Sequence, residues 1–212
     1  MDFVRPRRLV PLQLVAGRGH YESVIGAVME AQRSVWIATA NLKELMVEDA
    51  RAVPGRRRSA PRGAGGRGRH FRSVLSVFDE MAARGVELRL LHAGVPSRPF
   101  RQELRRHPRL GRGGLAMRLC PRVHLKAVII DGARLYLGSA NWTGAGLGAR
   151  GEGRRNFELG FITDDDGLLD EAQALFDQIW RGAECGDCRL RDACPGPLDA
   201  CAPAVSPLWH SR

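Results

Sequence analysis

The sequence predicts an α/β protein: a mixed β-sheet flanked by helices, with a small cysteine-rich C-terminal tail. Three observations lead there. Short β-branched apolar runs alternate with apolar stripes at helical spacing, the order expected when helices pack on a sheet. A length of 212 residues suits one domain with a real hydrophobic core. Four of the five cysteines cluster after the last helical stripe.

The elements can be justified in order. Tyr21, Val24, Ile25 and Val28 recur at the spacing of an amphipathic helix, and residues 35–39 read as a buried strand. Phe71, Val74, Leu75, Phe78 and Met81 form a second helical stripe that Gly85 should end. Residues 86–91 are the next strand, and residues 123–130 and 134–137 are two further strand-like runs. A strand over 157–163 and a helix over 168–180 complete the set, the helix presenting Leu168, Leu169, Ala172, Leu175, Phe176 and Ile179. These stripes are core rather than cofactor-binding surfaces. Residues 1–181 form the expected domain and 182–212 the tail.

Two stretches are strongly basic, in a chain of formal charge +10. Residues 54–69 hold six arginines, five glycines and no acid, too little apolar surface to order itself, so a disordered basic loop is expected. It reads either as a contact for nucleic acid or anionic lipid, or as a solvated linker. Residues 98–122 carry eight arginines opposed only by Glu103. A field of that sign would steer a polyanion toward the adjoining segment.

That segment begins with His124-Leu-Lys126 and continues through Asp131 to Gly138-Ser139-Ala-Asn141. Asp131-Gly132 between two strand-like runs is a hairpin signal. A two-residue loop would set 130 against 133, 126 against 137 and 124 against 139. With alternating side chains, His124, Lys126, Ser139 and Asn141 would then share one face. An imidazole can serve as nucleophile near neutral pH, and Lys126 would favour its neutral form and attract an anion. Ser139 and Asn141 can donate to non-bridging oxygens. These are the parts needed to bind a phosphodiester and attack its phosphorus. An ordinary strand with a half-buried His and a snorkelling Lys would need none of them.

These residues resemble the HKD motif of the phospholipase D superfamily at every motif position, and Asn156-Phe-Glu158 resembles the Asn-x-Glu downstream of that motif. The resemblance implies a phospholipase D-like catalytic domain and a phosphodiesterase that needs no metal for its chemistry. It implies that His124 is the covalent nucleophile or the general acid, through a phosphohistidine intermediate. Lys126 and Asn141 would bind phosphate, Ser139 would support that site and Glu158 would orient an imidazole. Asp131 belongs to the same motif, but its place at the turn favours a structural role. Arg118 and Arg122, nearest upstream, are candidate substrate contacts. In the family a second HKD histidine protonates the leaving group and then activates water. No second H-x-K occurs in this sequence, so the resemblance implies a symmetric homodimer sharing one active site.

Cys185, Cys188, Cys194 and Cys201 are spaced C-x2-C-x5-C-x6-C, with Cys120 apart. Such spacing suggests a metal site, either Zn or a 4Fe-4S cluster, with disulfides as the alternative in an oxidising compartment. The tail's part would be structural or DNA-contacting. The N-terminal apolar run is broken by Pro11, Gln13 and Gly17, and no apolar stretch is long enough to span a bilayer, so a cytoplasmic protein is expected. The basic approach favours DNA or RNA as substrate. A phospholipase D acting on lipid headgroups and a catalytically idle nucleic-acid-binding module are the alternatives.

Overall fold

A computed structural model describes residues 4–49 and 70–200. The basic stretch 54–69 and Cys201 lie outside the described residues. The chain opens with β1 (Gln13–Ala16) and a wide π-helical stretch, His20–Ile25, that runs into α1 (Gly26–Glu30). After it come β2 (Ser34–Thr39), β3 (Met46–Glu48), β4 (Phe71–Ser73), α2 (Val74–Ala83) and β5 (Glu87–His92). The remaining elements are α3 (Arg98–Leu104), β6 (Ala116–Leu119), β7 (Ala127–Ile130), β8 (Arg134–Gly138), β9 (Leu159–Thr163) and α4 (Asp166–Trp180).

Seven strands form one mixed sheet in the order β1-β9-β8-β7-β2-β5-β6, and β3 pairs with β4 beside it. The β2, β5 and β6 strands are parallel, while β7, β8, β9 and β1 continue the sheet antiparallel. Strand alternation divides the core. Val35 and Ile37 pack with Val28, Leu75, Phe78, Met81 and Leu90 on one face, while Ala38 meets Leu91, Ala127, Phe176 and Trp180 on the other. Leu169 of α4 covers Ile129 and Leu135 on that second face. Among the described residues no helix is long and apolar enough to cross a membrane.

The structure departs from the sequence reading at several elements. Phe71 belongs to β4 rather than to the helix, because Ser73 caps α2 by accepting the Leu75 N–H at 3.0 Å. The basic stretch 98–122, read in the sequence for its charge alone, contains α3 and β6, and Phe100, Leu110, Leu115 and Met117 supply its buried side. Beyond α4, residues 182–200 run in turns with one short 3₁₀ helix, Arg191–Ala193, and Leu198 and Cys185 pack on the α4-side core.

The hairpin forms, but not in the expected register. Asp131 and Gly132 both take positive φ (55° and 66°), as a type I′ turn requires, and the Ala133 N–H returns to the Ile130 carbonyl at 3.0 Å. The ladder then resumes one residue out of step, with Ile130 opposite Arg134 and Ala127 opposite Leu137. Ala133 is the extra residue of a β-bulge.

Asp131 uses this bend structurally. Its carboxylate accepts the backbone N–H groups of Gln32 (3.0 Å), Arg33 (2.7 Å) and Ser34 (2.9 Å), tying the turn to the start of β2. Partial burial opposes the charge, but the N–H groups of Gln32, Ser34 and Arg33 outweigh it and hold the carboxyl below its usual range. A depressed folded pKa means that this stabilisation is complete above the unfolded value and lost as pH falls through the folded one. Asp131→Ala, which also places a Cβ-bearing residue without a helping side chain at positive φ, is expected to lower stability by about 1–3 kcal/mol at neutral pH. Urea unfolding should show the difference shrinking in acid; equal midpoints at neutral pH would contradict the assigned role.

Candidate active site

The sheet topology gathers the motif. Because β2 runs parallel to β5 and antiparallel to β7, the C-terminal ends of β2, β5 and β8 meet the N-terminal ends of β7 and β9. His124 and Lys126 enter β7 at that end, Ser139 and Asn141 leave β8 there, and Asn156 and Glu158 precede β9 there. This is the end of an open α/β sheet where ligands bind. Asp131 lies beyond the opposite end of β7, outside this group, for the structural reason given above.

The bulge changes which residues face one another. Lys126, whose carbonyl accepts the Gly138 N–H at 3.1 Å, stands across from Gly138 rather than Leu137. Ser139 is not set opposite His124. It reaches the site because β8 ends at Gly138, after which its N–H donates to the Leu159 carbonyl at 2.9 Å.

Individual contacts assign parts. The exposed His124 ring has Lys126 Nζ 3.0 Å from both its Nδ1 and Nε2, and the same ammonium donates to the His124 carbonyl at 2.8 Å. Partial burial lowers the Lys126 pKa, and the negative charge of Glu158 pulls it back. Glu158 is held on both oxygens, by a short hydrogen bond from Ser139 Oγ and by Asn156 Nδ2 at 3.0 Å. Ser139 Oγ also accepts the Leu159 N–H at 3.1 Å. Asn141 Oδ1 accepts the Asn41 N–H at 2.9 Å and the Thr39 hydroxyl at 3.3 Å. With its carbonyl committed, Asn141 has its Nδ2–H groups to offer a ligand.

Several contributors were invisible in the sequence. Thr39 and Asn41, which hold Asn141, come from the end of β2, about a hundred residues upstream. Beneath the site lies buried Tyr136, with buried His20 edge-on at 5.6 Å between ring centroids. Burial pushes the Tyr136 hydroxyl up to about 12 and lowers His20. The Tyr136 ring explains the motif glycine. A Cβ on Gly138 would lie 2.7 Å from the Leu159 carbonyl and crowd the Tyr136 hydroxyl, and one on the paired Gly160 would press into the same ring. Gly160, two residues after Glu158, was the only hint of this in the sequence.

The two expected arginine contacts are drawn elsewhere. Arg118 is buried and donates to the carbonyls of Trp180 and Leu198 (2.8 Å to the latter), its guanidinium 5.6 Å from the Trp180 ring centroid. A guanidinium used to satisfy backbone carbonyls under the tail is not placed to meet substrate, so Arg118 is corrected to a structural residue. Arg122 is exposed and hydrogen-bonds the Cys188 thiol. Others in the same stretch are paired, Arg106 with Glu103 at 2.9 Å and Arg109 with Asp79 at 3.1 Å, which weakens the field expected there.

Cys120, Cys185, Cys188 and Cys194 are free thiols. Among the described residues no group of three or more His, Cys, Asp or Glu side chains is already arranged to hold a metal ion. A surface cavity of about 590 Å³, lined by Gln13, Glu22, Glu30, Arg134 and Asp164 among others, opens at the Asp131 end of the sheet, away from His124.

Comparison with known proteins agrees with this geometry. A family model described as "Cardiolipin synthase, PLD-like domain" matches residues 70–180. No curated protein matches the chain. Among solved structures, NucT from Helicobacter pylori is similar over 80% of this chain and 95% of its own, at 16% identity and a TM-score of 0.50. Nuc from Salmonella typhimurium, a phospholipase D family member, is similar over 81% and 95%, at 14% identity and the same TM-score. TrmBL2, an archaeal chromatin protein described as showing a novel mode of DNA binding, is similar over 80% of this chain and 52% of its own, at 14% identity and a TM-score of 0.50. At such identities these likenesses establish the fold. With the family model covering more than half of its residues, the chain belongs to the PLD-like domain family of the phospholipase D superfamily.

Proposed function

We propose that this protein is a phosphodiesterase that cuts nucleic acid through a phosphohistidine intermediate, as a homodimer and without a catalytic metal. The observation that carries the proposal is the convergence of His124, Lys126, Ser139, Asn141 and Glu158 on one end of the sheet. A phosphodiester entering there would meet Lys126 and the Asn141 amide as donors to its non-bridging oxygens. Lys126 now rests against the imidazole and donates to the His124 carbonyl, so substrate phosphate would draw the ammonium off the ring and onto its own oxygens. His124 nitrogen then forms the bond to phosphorus as the bond to the leaving oxygen breaks, that oxygen taking a proton from a second imidazole. The second imidazole next takes a proton from water, whose oxygen displaces His124 from phosphorus. Glu158, held by Ser139 and Asn156, would orient an imidazole and stabilise its charged form.

The second imidazole is assigned to His124 of another copy. An apolar row on the α4-side face supports that choice. Leu14, Phe161 and Leu137 stand side by side across β1, β9 and β8, with Leu159 one step nearer the site, and all are exposed. Exposed side chains in a contiguous row beside half an active site suit a two-fold partner.

The net charge of +10 favours a polyanionic substrate, met in the cytoplasm. The family model's description favours a second reading, headgroup hydrolysis or transfer on a phospholipid. Incubating the protein in EDTA with single-stranded DNA and, separately, with phosphatidylcholine vesicles separates them. Cleavage of DNA alone is expected. Cleavage of lipid alone would reverse the substrate assignment, and cleavage of neither would favour an idle nucleic-acid-binding module.

A further inference from the structure

The thiols anticipated as one tail cluster are redistributed by the fold. Cys120, from the loop between β6 and β7, lines a single cavity with Cys185, Cys188 and Cys194. We propose that these four cysteines form a zinc site, with Cys120 as the ligand that the spacing had assigned to Cys201.

Consecutive turns present the tail cysteines to this cavity. The Cys188 N–H donates to the Cys185 carbonyl at 3.3 Å, the Arg191 N–H to the Cys188 carbonyl at 2.9 Å, and the Cys194 N–H to the Arg191 carbonyl at 3.2 Å. From the other side, the Cys120 N–H donates to the His92 carbonyl at 2.9 Å, fixing its loop to the end of β5. The buried Arg118 binds the carbonyls on either side of the tail, at Trp180 and Leu198, so the tail is held over Cys120 by contacts independent of any metal.

The cavity holds about 20 Å³, room for one small ion or water. The thiols line it without standing at ligand distances, and rotation about χ1 is the motion that would bring sulfur inward. Binding would form four Zn–S bonds and release the thiol protons to solvent, leaving a site of net charge −2. Two arginines oppose that charge: Arg122 on Cys188, and Arg191, which donates to the Cys185 carbonyl at 2.8 Å. Cys120 precedes His124 by four residues, so a zinc bound here would tie the tail to the segment that carries the nucleophile.

The test measures metal and does not depend on the phosphodiesterase reading. Wild-type protein and Cys201→Ser are expected to bind about one zinc per chain, and Cys120→Ser to lose affinity by at least about 100-fold. Retention by Cys120→Ser with loss in Cys201→Ser would restore the tail-only set and overturn the proposal. So would a wild type that binds no zinc, or one purified with iron and acid-labile sulfide. Because Cys120→Ser could fail to fold, Cys120→His serves as the second variant. Loaded with cobalt, it should show weaker thiolate-to-metal charge transfer than wild type; an unchanged spectrum would exclude Cys120 as a ligand.

Discussion

Replacing His124 by alanine is expected to lower phosphodiester hydrolysis by about 10⁴-fold or more, since removal of a nucleophile leaves only binding and electrostatic stabilisation. The fold should survive the change. The ring is exposed and its side-chain contact is with Lys126, so no core packing is removed. Unaltered thermal unfolding with lost turnover would therefore locate the defect in chemistry. A rapid alkaline quench of the wild type with labelled substrate should also trap phosphate on the protein, and His124→Ala should trap none. Residual activity within about tenfold of wild type would overturn the nucleophile assignment, because even general acid–base groups contribute more.

The second large effect concerns the apolar row. Phe161→Asp is expected to convert the proposed dimer to monomer in light scattering and to lower turnover by about 10²–10⁴-fold, the contribution of a general acid–base group. Phe161 is exposed on β9 between Leu14 and Leu137, so the charge enters no core and the monomer should fold. A fully active monomer would remove the shared-site reading. Mixed dimers give an independent check. If one site needs both His124 rings, co-expression of equal wild-type and His124→Ala chains should leave about a quarter of the activity, the fraction of all-wild-type dimers under random two-fold pairing. Chains acting alone would leave about half, since each wild-type chain would then work whatever its partner.

Particular residues show how far local pattern carries. The strands 35–39 and 86–91 and the closing helix were legible within two residues, because each repeats its apolar period inside its own length. The edge strand β1 is four residues long and too short to show a period. Its partner β9 lies more than 140 residues away in sequence, so its strand character comes from that pairing. In the basic stretch, many arginines masked α3 and β6, whose buried sides rest on four separated apolar residues.

The turn at Asp131-Gly132 was readable because positive φ is a local demand of those residues. The bulge at Ala133 was not, since nothing in a local pattern says that Ser34 and Gln32 will pull on the Asp131 backbone and carboxylate. With the register shifted by one, the pairing drawn from spacing put Ser139 across from His124 when β9 is its neighbour. The same limit separates Arg118 from Arg122 and joins Cys120 to the tail. Both depend on which segments cross the end of β6 in space.

Residue order therefore carries the chemistry: an imidazole beside an ammonium, two amide or hydroxyl donors and a carboxylate, in a motif that occurs once. Those are properties of side chains and their number, and folding does not change them. Folding chooses their company. It brings Thr39 and Asn41 to Asn141, takes Asp131 to the opposite end of the sheet and Arg118 into the interior, and leaves an apolar row exposed beside the site. Those outcomes come from strand pairings spanning about a hundred residues or more, whose register is set by burial and backbone hydrogen bonding across the whole sheet.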